Sequence, residues 1–177
     1  MKRSLLLALI FGLVVVPVKA DETHLITPCR FYSTLDPGVS PLGDNEVRTF
    51  FVQGSTGWCA EDPGLAIPVG ASGLMMSVTV QNAHGPGFLR FYNAQLPAPL
   101  NAVSLTISEG IRRTTFVAAA LGPDLALPDL AVFSKIRGGN FDLSFTAPSP
   151  GPPPGAADEP LFKDVDVIID IMGYLIP

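Results

Sequence analysis

Residues 73–82 read GLMMSVTVQN. At period two, Leu74, Met76, Val78 and Val80 fall on one side and Met75, Ser77, Thr79 and Gln81 on the other. Such strict alternation is the mark of a strand with one buried face and one wet face, the usual state of an antiparallel sheet. The same rhythm recurs along the chain. NAVSLTISEG (101–110) sets Val103, Leu105 and Ile107 against Ala102, Ser104 and Thr106, and NFDLSF (140–145) sets Phe141, Leu143 and Phe145 against Asn140, Asp142 and Ser144. Further strands are expected at CRFYST (29–34), EVRTFFVQ (46–53), GFLRFYN (87–93), RTTFVAAAL (113–121), LAVFSKI (130–136) and KDVDVIIDI (163–171). AHGPG (83–87) and RGG (137–139) supply turns, because glycine reaches the positive φ that tight turns need. VAAALG has helical propensity, but the β-branched and aromatic TTFV before it favours a strand. About nine strands with close turns and no helix predict an all-β domain: an antiparallel β-sandwich, with a closed β-barrel as the alternative.

Two segments fall outside this rhythm. At the N-terminus, Lys2 and Arg3 precede an uncharged apolar run over 5–18, and Val18-Lys19-Ala20 carries small residues where signal peptidase requires them. The run is shorter than the roughly 20 apolar residues of a spanning helix. Residues 1–20 therefore read as a signal peptide, with no membrane segment once it is removed and residues 21–177 as a single β domain. The second segment, APSPGPPPGAADEP (147–160), is too rich in proline to pair in a sheet and reads as a surface loop within that domain.

Charge and cysteine usage narrow the function classes. The chain carries 11 Lys and Arg against 16 Asp and Glu, a net −5, and setting aside the leader's Lys2, Arg3 and Lys19 leaves −8. An acidic surface repels phosphate backbones, and Arg112-Arg113 is only a pair, so nucleic acid is excluded as a partner. Two cysteines in an exported chain pair most simply as a disulfide, Cys29 with Cys59. Neither has the neighbouring ligands of a zinc site nor the spacing of a redox pair.

Taken in order, PCRFYST (28–34), WCAEDPGLAIP (58–68), LMMSVTVQNAHGPGFLRFY (74–92), NAVSLTISEG (101–110), RTTFVAAALG (113–122) and VIIDIMGYL (167–175) resemble a secreted bacterial repeat domain of unknown biochemical role. That pattern opens with a P-x-R…D-T-R strand and closes with a D-x-x-G-Y strand. The likeness spans nearly all of residues 21–177. It implies an exported β-module of the cell envelope or its surroundings, and no reaction. The polar signature departs from the pattern: Ser33 and Leu35 replace the acid and base of D-T-R, Thr106 replaces an asparagine, and Thr114-Thr115 replace an A-N pair.

Chemistry is sparse. Of two histidines, His24 lies where a loose N-terminus is expected and His84 in the NAHGPG turn, and neither belongs to a catalytic motif. Asp36, Asp44, Glu46, Glu61, Asp62, Asp124 and Asp129 supply acids for a two-carboxylate hydrolase, but most sit beside Gly or Pro, where Asp stabilises turns. The last strand concentrates the rest. Val165, Val167, Ile169 and Ile171 share one face, and Asp164, Asp166 and Asp170 share the other with Ile168 and Met172. Same-face neighbours are about 7 Å apart. Asp164 and Asp166 therefore form a candidate calcium pair, and Asp170, about 20 Å from Asp164, lies out of reach of it. The competing expectation is a wet strand face whose acids discourage edge pairing. Asp170, set among aliphatics, would need a donor such as Arg30. Trp58, Phe31, Tyr32 and Tyr92 are candidates for stacking on sugar rings and, equally, for the core.

The sequence thus predicts an exported, periplasmic or extracellular, non-enzymatic module without a cofactor, binding a protein or glycan of the cell envelope or surroundings. A carboxylate-based small hydrolase and a calcium-stabilised adhesion domain are the alternatives. Its oligomeric state is not legible.

Overall fold

The computed structural model describes residues 20–59, 62, 64–99, 104–136 and 163–177. The expected strand at 140–145, the loop at 147–160 and most of the leader lie outside them. The described residues form nine strands and no helix: β1 (Glu22–Ser33), β2 (Leu42–Gly43), β3 (Val47–Phe50), β4 (Gly73–Gln81), β5 (Gly87–Asn93), β6 (Leu105–Ile107), β7 (Arg113–Ala120), β8 (Leu130–Ile136) and β9 (Asp164–Ile176). They form two antiparallel sheets, not closed into a barrel. One has the order β1-β9-β4-β7, with β2 also pairing to β9, and the other has the order β3-β8-β5-β6. The fold is a β-sandwich.

The core is made by the apolar halves of the alternations. Leu74, Met76, Val78 and Val80 of β4 and Val165, Val167, Ile169 and Ile171 of β9 are fully buried, and Leu89, Leu130, Val132 and Ile136 of the opposite sheet meet them. Apolar area removed from water drives this arrangement, at roughly 25 cal/mol per Å².

Several expectations are corrected. β9 is not an edge strand: β1 flanks it on one side and β4 on the other. Its aliphatic face is in the core, and on the other face Asp164, Asp166 and Asp170 are all partly exposed, with Ile168 buried among them. β1 begins at Glu22, so His24 is no part of a loose end; it faces Tyr174 across the β1–β9 ladder, with the rings stacked at 5.1 Å. The expected strand at 46–53 shortens to Val47–Phe50, and the two-residue β2 has too little sequence to show any alternation.

β9 must pass between two close neighbours, and Gly173 allows it. A Cβ at this position would come within 2.5 Å of the His24 carbonyl oxygen and 2.6 Å of Met75 Cε. The glycine of the closing D-x-x-G-Y segment is therefore required by sheet packing.

Candidate functional site

The three carboxylates of β9 are each engaged, by residues far away in sequence. Asp170 sits opposite Arg30 in the β1–β9 register, and Arg30 Nε donates to its Oδ1 at 2.5 Å. With side chains 50 % and 26 % exposed, this pair contributes at most about 1 kcal/mol. Asp166 accepts from the Thr34 hydroxyl at 2.9 Å and from Asn82 Nδ2 at 2.8 Å, one on each oxygen. Thr34 returns the tie through its oxygen, which accepts from the Val167 N–H at 2.9 Å. Asp164 Oδ1 lies 2.5 Å from His84 Nδ1, and the His84 N–H donates to the Asp164 carbonyl at 3.0 Å. Asp164 and Asp166 thus clasp the loops after β1 and β4. Among the described residues no group of three His, Cys, Asp or Glu side chains is placed to hold a metal ion.

The acids considered for hydrolysis are dispersed and mostly occupied. Asp129 is buried and accepts from the Val52 and Gln53 N–H groups at 2.9 and 2.8 Å. Gln53 extends this pin, donating to the Gly122 carbonyl and accepting from the Gly70 N–H. Asp44 accepts from the Ile136 N–H at 2.9 Å and lies 3.4 Å from the Lys135 ammonium. Burial opposes ionisation of Asp44, but the Ile136 N–H and the Lys135 charge outweigh it, so its carboxyl titrates below the ordinary aspartate value. Glu46 accepts from the Gly43 N–H and from Arg48 Nε. Asp124 closes a local turn through the Ala126 N–H. Asp36 is exposed, Asp62 lines a cleft beside the disulfide, and Glu61 lies outside the described residues.

The candidate aromatic platform is also absorbed into structure. Phe31 packs edge-on against Phe50 and Trp58, with centroids 5.5 and 5.8 Å away, and Tyr32 packs against Phe50 at 5.0 Å. All four are partly buried against the core, the second of the two readings open to Phe31, Tyr32 and Trp58. Arg48 closes the cluster, donating to the Tyr32 hydroxyl, the Ser40 carbonyl and hydroxyl, and the Pro41 carbonyl. Burial works against its charge, and the acceptors Glu46 and Tyr32 overcome that, raising its pKa. Tyr92 is half-buried on β5. Beside this cluster Cys29 and Cys59 form a disulfide, with Cα atoms 5.5 Å apart, and a cleft of about 430 Å³ opens next to it, lined by Ile26, Pro28, Asp62 and Leu65 among others.

A further cleft, of about 230 Å³, lies between β6 and β7, each the last described strand of its sheet. Ser104, Leu105, Thr106, Arg113 and Thr115 line it. Arg113 Nη1 donates to Thr106 Oγ1 at 2.7 Å, and Ser104 Oγ accepts from the Phe91 N–H at 3.0 Å. Sequence reasoning missed this site. Its residues read as the ordinary polar half of two strands, and only the strand order makes them neighbours.

No family model matches this sequence, and no curated protein matches it. Among solved structures, the chain is similar to the coat protein dimer of Tobacco streak virus, at 15 % identity and a TM-score of 0.36, covering 90 % of this chain and 88 % of that one.

Proposed function

We propose that this chain is an exported, non-enzymatic β-module of the cell envelope or extracellular space, and that its work is binding. The observation that carries the reading is the commitment of its carboxylates. Asp44, Asp129, Asp164, Asp166 and Asp170 each accept a hydrogen bond that ties one segment to another, and Glu46 accepts two within its own turn. A glycosidase needs two carboxyl groups facing each other across a sugar, at a separation fixed by mechanism. Acids spent on loop anchoring are poor material for that. The Cys29–Cys59 disulfide suits an oxidising compartment, in line with residues 1–20 as a cleaved leader. The resemblance to a secreted repeat domain gives the same context. A glycan or protein of the envelope is the partner class.

The test uses residues 21–177, oxidised, against envelope polysaccharides, with retention and release of reducing ends followed together. Retention without release is expected. Release that is lost on neutralising two of the acids establishes the hydrolase alternative and ends this reading. Calcium adds a second discrimination: the thermal midpoint is expected to be the same in calcium and in chelator. A site occupied at a hundred times its Kd adds about 2.7 kcal/mol, so a midpoint rise abolished by Asp164→Asn and Asp166→Asn establishes the calcium-stabilised adhesion domain instead.

A further inference from the structure

The cleft between β6 and β7 is distinguished by what its polar groups have left to give. β6 pairs only with β5 and β7 only with β4, so among the described strands nothing fills the seam between the two sheets. Arg113 pairs with Val80 in the ladder, and Val80 faces the core; the guanidinium therefore stands at the inner rim of the seam, pointing toward the opposite sheet. A guanidinium carries five N–H donors. Only the bond to Thr106 engages them among the described residues, and no ion pair does.

The hydroxyls extend the same pattern. Ser104 Oγ spends acceptor capacity on the Phe91 N–H, and Thr106 Oγ1 spends its own on Arg113, so each can turn its O–H into the cleft. Thr115 lines the opposite wall, and its hydroxyl makes no hydrogen bond with any described residue. No described lining residue is acidic. In a chain of net charge −5, the result is a small recess furnished with donors from two strands and one fixed positive charge.

We infer that this seam is a binding site for a tetrahedral oxyanion, a sulfate or phosphate group, held by Arg113 together with the hydroxyls of Ser104, Thr106 and Thr115. Charge-assisted hydrogen bonds to an ionised acceptor are about twice as strong as neutral ones, and the arginine fork suits two oxygens at once. A four-oxygen anion uses donors on both walls, where a carboxylate with two oxygens leaves some of them idle. The recess is smaller than the roughly 300–1,000 Å³ of pockets that enclose a whole ligand. It fits one charged group, either a free ion or an ester projecting from a larger molecule. The assignment stands on the cleft's own donors and holds whichever surface the module uses for other partners.

The experiment is a titration followed by backbone amide NMR of residues 21–177 with sodium sulfate, sodium phosphate, sodium acetate and sodium chloride at matched ionic strength. Galactose 6-sulfate serves as the ester probe. Saturable shifts confined to residues 104–106 and 113–115 with sulfate or phosphate are expected, and with galactose 6-sulfate as well if the group arrives as an ester. Arg113→Gln is expected to weaken sulfate binding about tenfold or more, and Thr115→Val, which keeps the side chain's shape, about threefold. Equal shifts with chloride, a response to acetate alone, or unchanged sulfate affinity in both variants overturns the assignment. The amide spectrum of each variant reports its fold in the same measurement, and Thr115→Val keeps the test decisive if Arg113→Gln disturbs β7.

Discussion

β9 and β7 belong to the same sheet and treat their polar side chains in opposite ways. β9 runs through the interior of the sheet, and each of its three aspartates is matched by a donor. Among the described residues β7 is the last strand of its sheet, and there Arg113 makes one side-chain hydrogen bond, to Thr106, and the Thr115 hydroxyl none. The residue types alone suggest the reverse, since three carboxylates in a row look more like a site than an arginine and a threonine do. Position in the sheet reverses that ranking. Polar groups in the middle of a sheet are surrounded by other segments and must be satisfied to be buried at all. Polar groups at an unclosed rim meet water, and can exchange it for a ligand.

Cutting into the two strands should expose this difference most sharply. Ile169 is fully buried on β9, and Ile169→Ala is expected to cost about 4 kcal/mol in denaturant unfolding. Phe116 is 57 % exposed on β7, and Phe116→Ala should change stability by no more than about 0.5 kcal/mol. Comparable losses from the two would erase the distinction between interior and rim. A smaller contrast sets a committed polar group against an uncommitted one. Asp129→Ala leaves two buried N–H groups, of Val52 and Gln53, without an acceptor and is expected to cost about 3 kcal/mol, whereas Arg113→Gln should fall within about 0.5 kcal/mol of the wild type. Equal stability of Asp129→Ala and the parent would show that the 51–54 segment is held by something else.

The smallest expected effect is read against pH. The Asp44 carboxyl is lowered in the folded state, so the stability it contributes is complete above the ordinary carboxylate range and drains away as pH falls through the folded value, below about pH 4. Asp44→Asn is expected to flatten that part of the acid unfolding profile and leave the slope near neutral pH unchanged. A slope below pH 4 that persists in the variant would move the acid lability to other carboxylates.

Much of the fold was legible because its alternation is local. GFLRFYN and LAVFSKI coincide with β5 and β8 residue for residue, since Leu89, Phe91, Leu130, Val132 and Ile136 repeat at the spacing of the pleat. The place of β9 in the sheet was not legible. Its aspartates alternate with aliphatics just as a wet edge strand's would, and their partners Arg30, Thr34, Asn82 and His84 lie 80 to 140 residues away. No local pattern records a pairing at that range. The seam was hidden for a related reason. Arg112-Arg113 counts for little as a charge cluster, and Thr106 and Thr115 are unremarkable within their strands. Two of the positions that depart from the repeat-domain pattern, Thr106 and Thr115, prove to line the same cleft.

The placing of β9 has a consequence in time. Residues 164–176 supply the middle of a sheet whose first strand begins at Glu22. While the chain is being made, nothing links β1 to β4 in this sheet, because the strand that lies between them follows both in sequence. The five-stranded sheet therefore cannot assemble from the N-terminus onward; it waits for residues 164–176 to emerge and then closes over long sequence separations, which is slow. Until then β1 has no partner in this sheet, since β9 is the strand it pairs with.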